Sequence, residues 1–129
     1  MPRIAFLLLL LCSFCGTALA ADEGSRRFVV YFTEWSAALD DAAVGVINEA
    51  ATLAKAQRHS LLTVTGFADP TGSRAANLLL SELRAQRVAD LLHGDGVAAA
   101  RIHPIGVGSV RFVSSAQESR RVEIMIGQR

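Results

Sequence analysis

The chain has 129 residues, with 13 Lys+Arg against 12 Asp+Glu and a formal net charge of +1. So even a balance argues against a nucleic-acid binder, which carries a basic excess. The length suits one domain around one core, and the 51% of hydrophobic residues is inflated by an apolar N-terminus.

That N-terminus is laid out as a secretory signal peptide over residues 1–20. Arg3 supplies the positive region, Ile4 to Phe14 the apolar stretch, and Ala18-Leu19-Ala20 the small-x-small cleavage site. The apolar run is short for a bilayer span, so a retained membrane anchor is the lesser alternative. Cys12 and Cys15 both fall inside it, preceded by Leu11 and Phe14 where a lipidated cysteine wants a small residue. Neither is read as a lipidation site. Beyond Ala20 there is no cysteine, the charges balance, and no segment is long enough to cross a membrane or patterned to build an outer-membrane barrel. The expectation is an exported, periplasmic protein at the cell wall.

Residues 21–27 are polar and read as a short leader to a domain over 28–129. The run Phe28-Val29-Val30-Tyr31-Phe32 predicts a strand, and its lack of alternation predicts burial on both faces. Asp40-Asp41 suits the positive end of a helix in which Val44, Ile47, Ala51 and Ala54 recur at helical spacing, to about Gln57. Leu61 to Phe67 form a second strand. The turn Asp69-Pro70-Thr71-Gly72 follows it, with Ser73 as cap of a second helix, residues 74–93, ended by Gly94-Asp95-Gly96. Residues 102–107 and 121–126 give two more strands. Strands interleaved with long helices predict an α/β two-layer sandwich of order βαβαββ, two long helices on one face of a mixed sheet.

The second helix carries the functional signal. Asn77, Leu80, Ser81, Arg84, Val88, Leu91 and Leu92 share one face at 3.6 residues per turn. The C-terminal half of that face is apolar; the N-terminal half is polar. Buried Asn, Ser and Arg need partners, since an unpaired buried polar group costs roughly 1–3 kcal/mol. The loop bearing Asp69 lies at the same end of the fold, where strand carboxyl ends usually place ligands. Asp69 and Arg84 are suited to take the ammonium and carboxylate of a small zwitterion. The structural alternative is that they pair with each other and tie loop to helix.

Several motifs agree, in order and spacing, with one known family. The run G-F-A-D-P-T-G-S-R-A-A-N-L-L-L-S-E-L-R-A-Q-R, then Gly94-Asp95-Gly96-Val97, Ile105-Gly106-Val107-Gly108 and Ser119-Arg120-Arg121-Val122-Glu123-Ile124, resembles the OmpA-like peptidoglycan-binding domain. The likeness covers residues 28–126. It implies non-covalent binding of the peptidoglycan stem through meso-diaminopimelate, with Asp69 and Arg84 in the gripping positions. Arg offers a bidentate fork to a carboxylate. Asn77 would orient the Asp69 loop or touch the ligand, the backbone of Thr71 and Gly72 would add N–H donors, and Arg120 is a secondary candidate. Ala68 stands where the family usually has Thr, Ser119 where it usually has Asn, and the stretch 110–118 is shorter than in many relatives.

Leu78, Leu79 and Leu83 occupy positions that are usually polar in the family, and their grouping marks a contact surface for a protein partner or a second copy. Partial cover by residues 94–101 is the alternative. His59, His93 and His103 lack metal-ligand spacing, and no cofactor motif or nucleophile elbow is present. Trp35 reads as cover for the end of the first strand, with stacking on a sugar as the alternative. Two functions follow: a wall-binding module, or an interaction protein on the same fold that keeps Asp69 and Arg84 as a brace. An enzyme has no constellation to support it.

Overall fold

The computed structural model describes residues 24–110 and 116–127, so the expected signal peptide lies outside the described residues. In chain order come β1 (Arg26–Tyr31), α1 (Asp41–Ala56), β2 (Leu61–Ala68), α2 (Arg74–Gly94), β3 (Ile102–Ser109), α3 (Ala116–Ser119) and β4 (Arg121–Gly127). The strand order is β1-β4-β2-β3. β2 and β3 are parallel, and β4 is antiparallel to both β1 and β2. Hence β1, β2 and β3 all finish at one end of the sheet, and β4 begins there. With α1 and α2 packed on one face, the architecture is the expected two-layer α/β sandwich.

Local chemistry fixes both long helices. Asp40 accepts from the Ala43 N–H at 2.7 Å, and Ser73 accepts from the Ala76 N–H at 3.0 Å, each answering a donor that the helix cannot. At the other end of α1, Arg101 donates to the carbonyls of Ala54 and Gln57 at 2.7 and 2.8 Å. The buried stripe of α1 is Ala43, Ile47, Ala50, Ala51 and Ala54. It meets Val88 and Leu92 of α2 and the inward residues Val30, Leu62, Val64, Val122, Ile124 and Ile126 of the strands.

The N-terminal half of α2 comes unusually close to the sheet. A Cβ at Gly66 would lie 2.0 Å from the carbonyl oxygen of Ser81, and one at Gly106 only 2.4 Å from the Glu82 nitrogen. No side chain fits between helix and strands at those two points.

Three expectations need correction. β1 is an edge strand: Val30 is buried but Tyr31 is exposed, because the helices cover only one face of the sheet. A β-branched, aromatic run therefore does not imply burial on both sides here. The strand also starts at Arg26, inside the stretch read as leader, where Arg26 and Arg27 pair with Ile126 and Met125. Finally, the short helix α3 precedes β4; four residues are too few to show a period.

Candidate functional site

The end where β1, β2 and β3 finish gathers the charged side chains. Asp69 follows directly on β2 and is 3% exposed, while Arg84, from the third turn of α2, is 0% exposed. Arg84 is answered by backbone. Its Nε donates to the Ser36 carbonyl at 2.8 Å, Nη1 to that of Phe67 at 3.1 Å and Nη2 to that of Thr33 at 3.0 Å. Its guanidinium carbon lies 5.2 Å from the centroid of the Phe32 ring. None of these partners is charged. Burial pulls the Arg84 pKa below its ordinary value, nearby Asp69 opposes that, and Arg120 adds to it. The guanidinium nevertheless stays charged at neutral pH.

Asp69 pairs with Arg120 rather than with Arg84: Arg120 Nε donates to Asp69 Oδ2 at 3.0 Å. Arg120 also approaches Glu34 Oε2 at 3.8 Å. Thus the brace expected as the structural alternative, Asp69 directly on Arg84, is not the contact that forms. Arg84 ties the loop after β1 to the end of β2, and Arg120 ties the Asp69 loop to the start of β4.

Asn77 donates through Nδ2 to the Thr71 carbonyl at 2.7 Å and to Ser109 Oγ at 2.8 Å, so it holds the turn between Asp69 and α2. Its Oδ1 is buried and has no hydrogen-bond partner. Thr71 and Gly72 are exposed at the start of α2, and Gly72 has φ of 80°, which glycine adopts without strain. The six candidate residues thus lie at one end of the fold, on the Asp69 turn, α2 and the start of β4. Among the described residues no group of three or more His, Cys, Asp or Glu is placed to hold a metal ion.

Sequence reasoning marked Ser81 on the buried face without its partners, and it missed three contributors from the loop after β1. Ser81 accepts from the Gly108 N–H at 2.8 Å and donates to the Leu78 carbonyl at 2.7 Å, joining α2 to the end of β3. Glu34 reaches Arg120, and Thr33 and Ser36 supply carbonyls; all three sit in a loop without periodicity. Leu78, Leu79 and Leu83 are 41%, 67% and 49% exposed, so all three form part of the surface.

An acid and a base held at the carboxyl ends of strands, beside a helix start, define the class: an α/β domain with a charged cluster at one end of its sheet. Residues 31–124 match the model of the OmpA family, and the chain belongs to that family. The peptidoglycan-binding protein ArfA of Mycobacterium bovis is 36% identical over 103 residues, covering 75% of this chain and 32% of ArfA. The probable lipoprotein YiaD of Escherichia coli is 33% identical over 103 residues, covering 75% of this chain and 47% of YiaD. The chain therefore spans about a third to a half of the length of these relatives. Among solved structures, the peptidoglycan-associated lipoprotein of Burkholderia pseudomallei superposes with a TM-score of 0.72 at 23% identity, over 78% of this chain and 90% of that one. At that identity the likeness concerns the fold. No helix of the described residues is long and apolar enough to cross a membrane.

Proposed function

We propose that this protein binds peptidoglycan without covalent bonds, gripping the free amino-acid end of meso-diaminopimelate in the stem peptide. It acts as a binding module, not an enzyme, in the periplasm after export by its signal peptide. The observation that carries this is Arg84: a fully buried cation whose hydrogen bonds all go to neutral carbonyls. A buried charge without a close counter-ion is costly, and a ligand carboxylate supplies one. A guanidinium has five N–H donors, and three are committed here. The remaining two, with the backbone N–H groups of Thr71 and Gly72, would receive the carboxylate. Asp69, whose Oδ2 is taken by Arg120, would receive the ammonium on its other oxygen. Asn77 would keep the turn between them in register.

Entry requires the loop carrying Thr33 and Ser36 to move, since Arg84 is fully buried with the carbonyls of that loop on its guanidinium. One such site binds weakly, and attachment to the wall would draw strength from many stems. The similarity to ArfA, itself named for peptidoglycan binding, supports the reading.

The test is sedimentation with purified diaminopimelate-type peptidoglycan. Asp69→Asn and Arg84→Lys preserve much of the shape, and each is expected to weaken binding about tenfold or more, the loss of one charge-assisted bond. Undiminished binding in a folded Asp69→Asn protein would sink this site. A second reading rests on the exposed Leu78, Leu79 and Leu83. They would dock a protein partner or a second copy, and the domain would then serve as an interaction module without wall binding.

A further inference from the structure

Trp35 stands apart from the core beside it. It is the only tryptophan of the protein, and it remains 54% exposed. Its φ of 53° is the one positive value at a non-glycine residue among the described residues. Bulky residues avoid that region and are held there only by their surroundings. The holding contacts are plain. Thr33 and Ser36, on either side, give their carbonyls to Arg84. The benzene edge of the indole rests on Gly72, where a Cβ would lie 2.5 Å from Cη2.

The core closes without this ring: Val30, Phe32 and Leu39 belong to the apolar cluster and Trp35 does not. A tryptophan that only covered the strand end would be buried in doing so. This one is anchored by an edge and leaves over half its surface open at the rim of the charged site. Glu34, its neighbour in the chain, lies 3.8 Å from Arg120, and Arg120 continues to Asp69. An open aromatic surface, next in the chain to a carboxylate that reaches a guanidinium, matches the chemistry of a pyranose, whose C–H face stacks on a ring while its hydroxyls meet charged donors and acceptors.

We propose that Trp35, with Glu34 and Arg120, forms a shelf for a sugar ring of the glycan strand, adjoining the stem-peptide site. This deepens the wall-binding reading and rests on it for the stem, whereas the shelf itself needs only glycan.

The protein, as processed in its host, is titrated with three ligands: a stem fragment bearing its disaccharide, the same stem without sugar, and glycan strands stripped of peptide. Emission from the sole tryptophan reports contact at the ring. The disaccharide fragment is expected to bind about three- to tenfold tighter than the bare stem, the scale of one aromatic contact, and to shift the emission. Trp35→Asn keeps a residue that tolerates positive φ and removes the ring. It should lose this preference and keep the affinity for bare stem, while Trp35→Tyr retains part of the preference. Equal affinity for the two fragments, or a preference that survives Trp35→Asn, overturns the shelf and leaves the stem reading standing. Binding of stripped glycan that depends on Trp35, with no binding of bare stem, supports the shelf and overturns the stem reading. If none of the three binds, both fall.

Discussion

The two halves of α2 bury the same face with opposite chemistry. Toward the C-terminus, Val88, Ala89 and Leu92 enter a dry cluster with Ile47, Leu62 and Ile126, and any well-packed apolar residue of similar volume would serve. Toward the N-terminus, Asn77, Ser81 and Arg84 are just as buried, yet each needs specific partners on β2, β3 or the loop after β1. A helix packed only for stability has no reason to change character halfway. The change coincides with the end of the sheet where strands finish and where Asp69 and Arg120 converge. Local rules are broken where something other than stability is specified.

The comparison breaks most visibly at Arg84. Arg84→Ala strips donors from three carbonyls at once and empties a buried volume, so a loss of about 3–5 kcal/mol is expected, measured by urea denaturation. An unchanged midpoint would mean that these bonds do not hold the loop. Arg84→Lys, which keeps the charge but not the planar fork, should lose less stability and still bind poorly.

Leu92→Ala tests the other half. Truncating a fully buried leucine should cost about 3 kcal/mol through transfer and cavity terms, with wall binding unchanged once the protein is folded. If binding fell as steeply as in Asp69→Asn, the two halves would not be separable. Ser81→Ala comes next, at about 1–3 kcal/mol, because it leaves the buried Gly108 N–H without its acceptor.

These ranks also show what was legible in the chain. The period of α2 revealed its buried face, and the polar residues on that face marked the site. Their partners were not legible, because they lie far away in sequence and in segments without periodicity. Arg84 bonds to Thr33 and Ser36, and Asp69 bonds to Arg120, each across roughly fifty positions. The glycines told half a story. A glycine in a strand signals close approach, but only the folded chain shows that Gly66 meets Ser81 and Gly106 meets Glu82. β1 misled for the opposite reason: its composition is that of a central strand, and its place at the sheet edge follows from β4 inserting between it and β2.

The smallest effect is expected on the outer side of the polar half. Leu79 and Leu83, one turn apart, are exposed and lie outside the buried cluster, so replacing both with Gln should move stability by no more than about 0.5 kcal/mol. Glutamine is as good a helix former as leucine, which removes propensity as a confounder. A near-zero change in the melting transition, together with unaltered sedimentation of the protein alone, would exclude a second copy as cover for the two leucines. A marked drop in stability that grows with protein concentration in the unmodified chain would instead show that these leucines are covered by a second copy. The N-terminal half of α2 would then carry two contact faces, one turned to the wall and one to a neighbour.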